Sequence, residues 1–324
     1  MDRLKFSLVT TCRNEIKSLP RWKKNVLEQS RQPNEIVIVD AFSDDGTYEM
    51  LLEWSEQDNR VKLIQEKGAA AHGRNVAIEH AIHEHILSTD MGVRLNKIWC
   101  EELITPFETD SSIDVVAGNT CIDKETVKSA VARAEYYIEN GGMPKLGPGF
   151  VPGNRSIAYT KKVWKQLGGL PEDLTFYADD SVFGRQMIQE ELKFAYAPEA
   201  MTYWGRPKKL RQFWKEQYNY GRGDGEAFIK TPRVFKWYFE KKIPAFLVPM
   251  LHPLIQLIKI NSYNGIHRAI RKSDIGAAFF IPNLIFFRSY FYAKAYLIGF
   301  KNGNNCCVNC RNRLKRDKKG YSHI

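Results

Sequence analysis

The sequence predicts an α/β fold, a doubly wound mixed sheet, followed by a helical C-terminal appendage, within 324 residues. Ile36, Val37, Ile38 and Val39 form a short unbroken β-branched run that stops at Asp40, the pattern of a strand buried on both faces of a parallel sheet. Short apolar strands alternate with amphipathic helical stretches from Phe6 to Ile64, the βαβ alternation that winds such a sheet with right-handed crossovers. Beyond Lys230 the composition shifts to long apolar and aromatic segments broken by prolines.

Phe6–Thr10 is the first strand. After Asn14 and Glu15 a helix is marked by Leu19, Trp22, Val26 and Leu27 at helical spacing, and Pro33 closes that connection. Glu35–Val39 is the second strand, Thr47–Glu56 a helix packing through Tyr48, Leu51, Leu52 and Trp54, and Val61–Ile64 the third strand. A loop, Gly68–Asn75, leads into a helix Asn75–His83, and Ile86–Thr89 is the next buried strand. Ile113–Ala117 is expected as a strand and Lys124–Asn140 as a helix. Gly141–Gly153 is a long Gly- and Pro-dense loop, and such a loop inside a compact domain is usually functional or disordered. Ser156–Tyr159 is a strand; Thr160 caps a short helix to Leu167, which Gly168 and Gly169 terminate. Asp179 and Asp180 open a helix that runs to Glu191, and Phe194–Tyr196 is a strand.

In an open α/β sheet, ligands bind beyond the carboxyl ends of the strands. Asp40 stands at such an end, where a carboxylate accepts hydrogen bonds from a ribose hydroxyl or a base N–H; capping the following helix is the other role open to it. Gly68 and Gly73 permit close backbone approach, and Arg74 offers a fork of donors suited to phosphate, with a solvated loop arginine as the alternative. Asp90 ends the fourth strand. The Asp179-Asp180 pair, taken alone, is a favourable charge placement at a helix start. Gly221-Arg222-Gly223-Asp224-Gly225 mimics a dinucleotide fingerprint but does not lie between a strand and a helix, which excludes a Rossmann cofactor site.

Taken in order, TTCRNE, VDAFSDDGT, GAAAHGRN and LSTDMG, then GNRSIAYTKKVWKQLGGLPE and ADDSVFGRQM, resemble the motif series of family 2 glycosyltransferases, which have the GT-A fold. The resemblance covers roughly residues 5–225. It implies that Thr11, Arg13, Glu15, Asp40, Ser43, Arg74, Asn75 and Thr89 hold the nucleotide-sugar donor. It implies that Asp90 holds a divalent metal, Mg2+ or Mn2+, which bridges the two phosphates; such hard cations require oxygen ligands. Asp180 then matches the base that takes the proton of the acceptor hydroxyl in inverting transfer, with Asp179 contacting the acceptor or orienting the loop. The basic residues after Trp204, among them Arg206, Lys208, Lys209 and Arg211, are expected to neutralise the leaving diphosphate. Two features depart from the family pattern. Gly92 stands where a second acid is usual, and the Gln-x-x-Arg-Trp motif of processive polymerases is absent, which points to one sugar added per encounter.

The formal charge of +11 suggests anionic partners, nucleotide diphosphates or lipid headgroups. No aromatic-basic RNA signature or zinc-finger spacing supports nucleic acid. The six cysteines form no disulfide framework; Cys306, Cys307 and Cys310 lack an obvious fourth zinc ligand, His323 being the one candidate. No charged-then-apolar signal segment precedes the first strand, so the catalytic part is expected in the cytoplasm. A division is expected at residue 230, with residues 1–230 the glycosyltransferase domain and 231–324 a helical, membrane-associating region. Ile243–Ile260 and Ile275–Phe300 are apolar but interrupted, and neither is a clean run of about twenty apolar residues. With His267, Arg268, Arg271 and Lys272 between them and a basic tail after Lys301, these segments are expected to lie in the inner membrane surface as a peripheral anchor. A packed helical appendage is the alternative. The functional expectation is an inverting, metal-dependent glycosyltransferase moving one sugar from a UDP- or GDP-sugar to a glycan or lipid-linked acceptor, as in polysaccharide or cell-envelope synthesis. Its rival is a nucleotide-binding membrane scaffold that has lost catalysis, which Gly92 favours and Asp90, Asp179 and Asp180 oppose.

Overall fold

A computed structural model describes residues 3–174, 177–206, 209–231 and 233–306. In chain order its regular elements are β1 Phe6–Cys12, α1 Leu19–Leu27, β2 Glu35–Asp40, α2 Thr47–Gln57, β3 Val61–Gln65, α3 Ala70–His80, β4 His85–Ser88, β5 Val93–Leu95, α4 Trp99–Thr109, β6 Val115–Ile122, α5 Ala130–Ile138, β7 Ile157–Thr160, α6 Lys161–Gln166, α7 Asp179–Gln189, β8 Phe194–Trp204, α8 Leu210–Ala227, α9 Arg233–Phe239, α10 Val248–Leu257, α11 Ile260–Arg271 and α12 Ile275–Cys306. They gather into two compact units. One holds Met1–Cys121, Pro144–Glu172 and Asp179–Trp204; the other holds Ile122–Met143, Asp173–Ala178 and Gly205–Ile324.

The first unit is built on an eight-stranded sheet of order β3-β2-β1-β4-β7-β6-β8-β5. β3, β2, β1 and β4 run parallel, whereas β4 pairs with β7, β6 with β7, and β5 with β8 in the antiparallel sense. Side chains alternate between two cores, as the twofold strand period requires. Phe6, Leu8, Ile36 and Ile38 pack on one face with Trp22, Trp54, Trp99 and Leu103 of α1, α2 and α4. Val9, Val37 and Val39 pack on the other with Ala77 and Ile78 of α3, Val163 of α6 and Phe183 of α7. This helix–sheet–helix layering is the reason the parallel strands read as unbroken apolar runs. Each such large side chain, once fully buried, stabilises the unit by about 1.5–3 kcal/mol.

The chain order reverses at β1, which has β2 on one side and β4 on the other. The crevice beyond the carboxyl ends of β1 and β4 is the topological switch point, the place where an open α/β sheet takes its ligand. Glu15 follows β1 there, and Asp90 follows β4.

Several segments differ from the sequence expectation: β5 had no counterpart in it, and β8 continues to Trp204, past the expected end at Tyr196. α3 starts at Ala70, so Gly73, Arg74 and Asn75 lie inside a helix and not on a loop before one. Gly73 is required for this: a side-chain carbon there would overlap Thr11 Oγ1 on β1. α4 had no counterpart in the sequence reading, although Trp99, Leu103, Ile104 and Phe107, all buried, repeat at helical spacing. The helix expected over Lys124–Asn140 is shorter: α5 covers Ala130–Ile138, opened by Ser129 Oγ accepting from Ala132 N. At Thr160 the expected cap is present, its hydroxyl accepting from Val163 N at 3.2 Å.

The second unit is helical. α5, α8, α11 and α12 meet through Val131, Phe213, Ala269, Ile281 and Leu284, and α9, α10 and α12 through Phe235, Val248, Ala293 and Tyr296. The glycines of the false dinucleotide fingerprint lie in the C-terminal half of α8. Gly221 and Gly225, one turn apart, rest on the backbone of Tyr292 and Tyr296 in α12, where any side chain would strike a carbonyl oxygen. Close helix packing, and not phosphate binding, accounts for that motif. Among the described residues no helix is long and apolar enough to cross a membrane. Lys208, Cys307, Cys310, His323 and the basic stretch 307–324 lie outside the described residues.

Candidate active site

At the switch point, one arginine organises the acids. Arg74, buried on α3, donates from Nη2 to Asp90 Oδ1 at 2.9 Å and from Nη1 to Asp179 Oδ2 at the start of α7. The sequence had offered this guanidinium to phosphate; the structure engages its fork with two carboxylates instead. Burial opposes its charge, and Asp179, Asp90 and Asp180 together more than restore it, lifting its pKa. Four elements distant in sequence, β4, α3, the segment before β7, and α7, are thereby fixed to one another.

Asp90 Oδ1 also accepts from Asn154 Nδ2 at 2.9 Å, while its Oδ2 lies 3.9 Å from Arg155 Nε. Burial pushes its carboxyl up; Arg74, Arg155 and Asn154 reverse this and hold it below the usual aspartate range. Asn154 and Arg155 were quoted within a motif but given no role. Ser88 Oγ donates to Asn154 Oδ1 at 2.6 Å and Thr89 Oγ1 to Arg155 O at 2.9 Å, which ties this segment to the end of β4. The Arg155 guanidinium also lies 4.2 Å over the Trp204 ring, and a third of its side chain is exposed.

The two acids at α7 have different settings. Asp179 is buried, 7% exposed, and burial raises its carboxyl pKa; Arg74 opposes this, and Asp180 and Asp90 add to the rise. Asp180 is only partly buried. It accepts from Ser181 N at 2.7 Å and Asn154 N at 3.3 Å. A side-chain carbon on Gly153 would come within 3.1 Å of Asp180 Oδ2, so glycine at 153 keeps that oxygen accessible. Ala178, just before the pair, has φ of 83°, a conformation costly for a residue with a side chain and common near functional sites.

The remaining expected donor residues divide into two groups. Arg13 is exposed beside the switch point; Glu15 and Ser43 are partly exposed there, with Ser43 Oγ accepting from Asn14 N at 2.9 Å. The others serve the scaffold. Asp40 is fully buried and accepts from Ser43 N at 2.9 Å and from Ser43 Oγ, which braces the turn after β2; it does not cap α2, whose N-cap is Gly46 with no side-chain cap bond. Thr11 Oγ1 donates to Val39 O at 3.0 Å, and Thr89 is fully buried. Asn75 donates to Leu170 O and Glu172 Oε1 and accepts from Leu170 N and Trp164 Nε1, which uses every donor and acceptor of the amide.

In the second unit, Arg206 is a further correction. Its side chain is 1% exposed and its guanidinium is taken up by Glu135 and Glu216, the latter at 3.0 Å. A buried arginine with two carboxylate partners is not available to a diphosphate. Burial pushes Glu135 up to about 7 even against Arg206. Arg211, at the start of α8, is exposed.

The residues present suit a hard divalent cation. Asp90 supplies carboxylate oxygen at a strand end, and Gly92 beside it is exposed with room above it. Among the described residues no three His, Cys, Asp or Glu side chains converge. That is the expectation for Mg2+-like ions, which take one or two carboxylates and complete their shell with phosphate oxygens and water.

Residues 7–163 match the model of Glycosyl transferase family 2. The poly-beta-1,6-N-acetyl-D-glucosamine synthase of Staphylococcus aureus is 20% identical over 258 residues, covering 78% of this chain and 62% of that protein. The protein of the same name from Staphylococcus epidermidis is 20% identical over 232 residues, covering 69% of this chain and 56% of its own length. The chain thus spans less than two thirds of these relatives. A mannosyltransferase from Pyrobaculum calidifontis, PcManGT, solved with GDP-Man and Mn2+, superposes with a TM-score of 0.58 at 19% identity, over 93% of this chain and 88% of that one. S. aureus TarS 1-349, solved with UDP, gives 0.51 at 15% identity, over 93% and 91%. At such identities the structural likeness speaks to architecture. Residues 7–163 are thus similar to Glycosyl transferase family 2, and the architecture is that of the GT-A fold.

Proposed function

We propose that this protein is an inverting hexosyltransferase that moves one sugar from a UDP- or GDP-sugar to a hydroxyl of a glycan or lipid-linked acceptor, in polysaccharide or cell-envelope synthesis. The observation that carries the reading is the Asp90–Arg74–Asp179 bridge. It holds a strand-end carboxylate and the first acid of the Asp179-Asp180 pair within the span of one guanidinium, with Asp180 next to them and partly open.

In this reading Asp180 takes the proton of the acceptor hydroxyl as that oxygen attacks the anomeric carbon opposite the leaving diphosphate. Asp179, fixed by Arg74, sets the start of α7 and so the direction of Asp180. Arg155 replaces Arg206 as the basic group beside the diphosphate, because it is partly exposed and adjacent to Asp90. Asp90 would hold Mg2+ or Mn2+, which when bound supplies charge stabilisation to the departing diphosphate. The nucleotide would lie against the Arg13, Glu15 and Ser43 rim. The GDP-Man and Mn2+ bound to PcManGT and the UDP bound to TarS 1-349 support this choice of donor and cation. Incubating the protein with a panel of UDP- and GDP-hexoses, Mn2+ and glycan acceptors should release nucleoside diphosphate from one donor class. Release from none would favour the inactive scaffold.

The reading includes a place at the inner face of the cell membrane. Phe246, Met250, Leu254 and Ile258 recur every four residues through α10 and its flanks, and each is more than half exposed. Tyr263 and Ile270 on α11, and Ile275 and Phe279 on α12, are likewise exposed, with Lys259, Arg271 and Lys272 close in sequence. Apolar stripes of this kind bury in the headgroup boundary, and each nearby Lys or Arg adds about 1 kcal/mol on anionic lipid. The protein should sediment with vesicles containing anionic lipid. High salt should weaken this association without abolishing it, since screening acts only on the charges. Complete release by salt would exclude apolar insertion, and a protein that never sediments would make these helices a packed appendage.

A further inference from the structure

The deepest cue at the switch point is what lies over Gly92, and it rests on the donor reading just given. Gly92 is exposed, two residues beyond Asp90. A side-chain carbon built on it would lie 3.5 Å from Glu15 Oε1 and 3.7 Å from Oε2. The Glu15 carboxylate therefore occupies the volume that an acidic side chain at 92 would reach, although it arrives from the loop after β1. Its approach is held from several directions. Glu15 N donates to Thr47 Oγ1 at 2.8 Å, Glu15 O accepts from Ser18 N at 3.0 Å and Leu19 N at 2.9 Å, and Ser18 Oγ donates to Oε2.

We infer that Glu15 is the second protein carboxylate of a divalent-cation site, acting with Asp90 across the exposed backbone of Gly92, and that this site takes the cation accompanying the donor diphosphate. The chemistry agrees. Two carboxylates brought to one small open space repel each other until a cation joins them, and a cation that takes only two protein oxygens leaves its remaining positions for phosphate and water. Asp45, on the neighbouring loop, is engaged elsewhere, accepting from Thr47 N at 3.1 Å and Ile16 N at 3.3 Å. Nearby, Arg74 Nε is buried and finds no hydrogen-bond partner among the described residues, a donor left for an oxygen that the side chains do not supply. Gly92 is then no sign of lost catalysis: the missing acid is provided from another loop.

The test is Mn2+ binding, read from the electron paramagnetic resonance signal of the free ion, with Mn2+ alone and with UDP or GDP present. Wild type should bind the Mn2+–nucleotide pair, and Glu15→Gln should weaken this by at least about tenfold. Ser18→Ala, which removes the hydrogen bond but no charge, should weaken binding by much less than Glu15→Gln does. Glu15→Ala combined with Gly92→Asp should recover binding, because shortening residue 15 opens the volume that a carboxylate at 92 then enters. Thermal melts of each variant establish that it is folded. The inference is overturned if Glu15→Gln binds Mn2+ like wild type while Asp90→Ala does not, or if Ser18→Ala loses as much as Glu15→Gln. Wild type that binds neither nucleotide, with or without Mn2+, removes the donor reading itself and this site with it.

Discussion

Asp180→Asn is expected to lower sugar transfer by about 10²–10⁴-fold while leaving donor affinity nearly unchanged. A general base acts on the acceptor proton and does not hold the nucleotide, so the loss belongs in turnover. The structure sharpens the expectation by separating the two acids of the pair. Asp179 is enclosed and bonded to Arg74, whereas Asp180 is partly open and accepts from backbone N–H groups at 2.7 and 3.3 Å. Asparagine preserves the shape and keeps the shorter of those two bonds, its Oδ1 accepting from Ser181 N, so the loss of stability should be small. Donor affinity and turnover measured on one preparation decide the matter. Near-normal turnover would remove Asp180 from the role, and a loss of donor affinity equal to the loss of rate would make it a binding residue.

Arg74→Ala should have the largest effect on stability, about 3–5 kcal/mol, because it strands acids that are buried or partly buried around one missing cation. Asp179, 10% exposed at its side chain, would face Asp90 and Asp180 without a counter-charge. Arg74→Lys should recover only part, since one ammonium cannot give the planar fork that reaches Asp90 and Asp179 together. Removing the stranded charge as well, in Arg74→Ala with Asp179→Asn, should cost less than the two single changes added together. Denaturant midpoints of wild type and the four variants measure this. A change of less than about 0.5 kcal/mol for Arg74→Ala would mark the arginine as an ordinary surface group.

The sheet was legible because its strands carry their own signal. The Ile36–Val39 run is apolar on both faces, since one face meets α1, α2 and α4 and the other meets α3, α6 and α7. Asp90, Asp179 and Asp180 were legible as candidates from their places at a strand end and a helix start. What could not be read were the partners. Arg74 was the right residue type, but its carboxylates are 16 and 105 residues away, and no local pattern joins them. Asn75 belongs to the same motif yet staples Leu170 and Glu172, because the turn of α3 points the two side chains in different directions. Arg206 follows an exposed glycine among other basic residues and reads as a solvent-facing cation. Only the fold brings Glu135 and Glu216 to it. The start of α3 was missed for a related reason: Gly68 and Gly73 signal a loop by propensity, and contact with β1 at Thr11 overrides it. Asn154 and Arg155 had a faint signal, a polar pair closing a Gly-rich loop, but nothing in the sequence pointed them at Asp90.

The central claim is single-displacement transfer from a nucleotide sugar, and the stereochemistry of the anomeric carbon tests it most directly. Proton NMR can follow donor breakdown in real time with water as the acceptor and an α-linked UDP- or GDP-hexose as the donor, so no natural acceptor need be known. Attack from the face opposite the diphosphate must deliver the β-anomer first, before the free sugar equilibrates. Wild type should show that order, and Asp180→Asn should show little release of either anomer. If the α-anomer appears first at the wild-type rate, the transfer retains configuration and Asp180 is not the base of an inverting reaction.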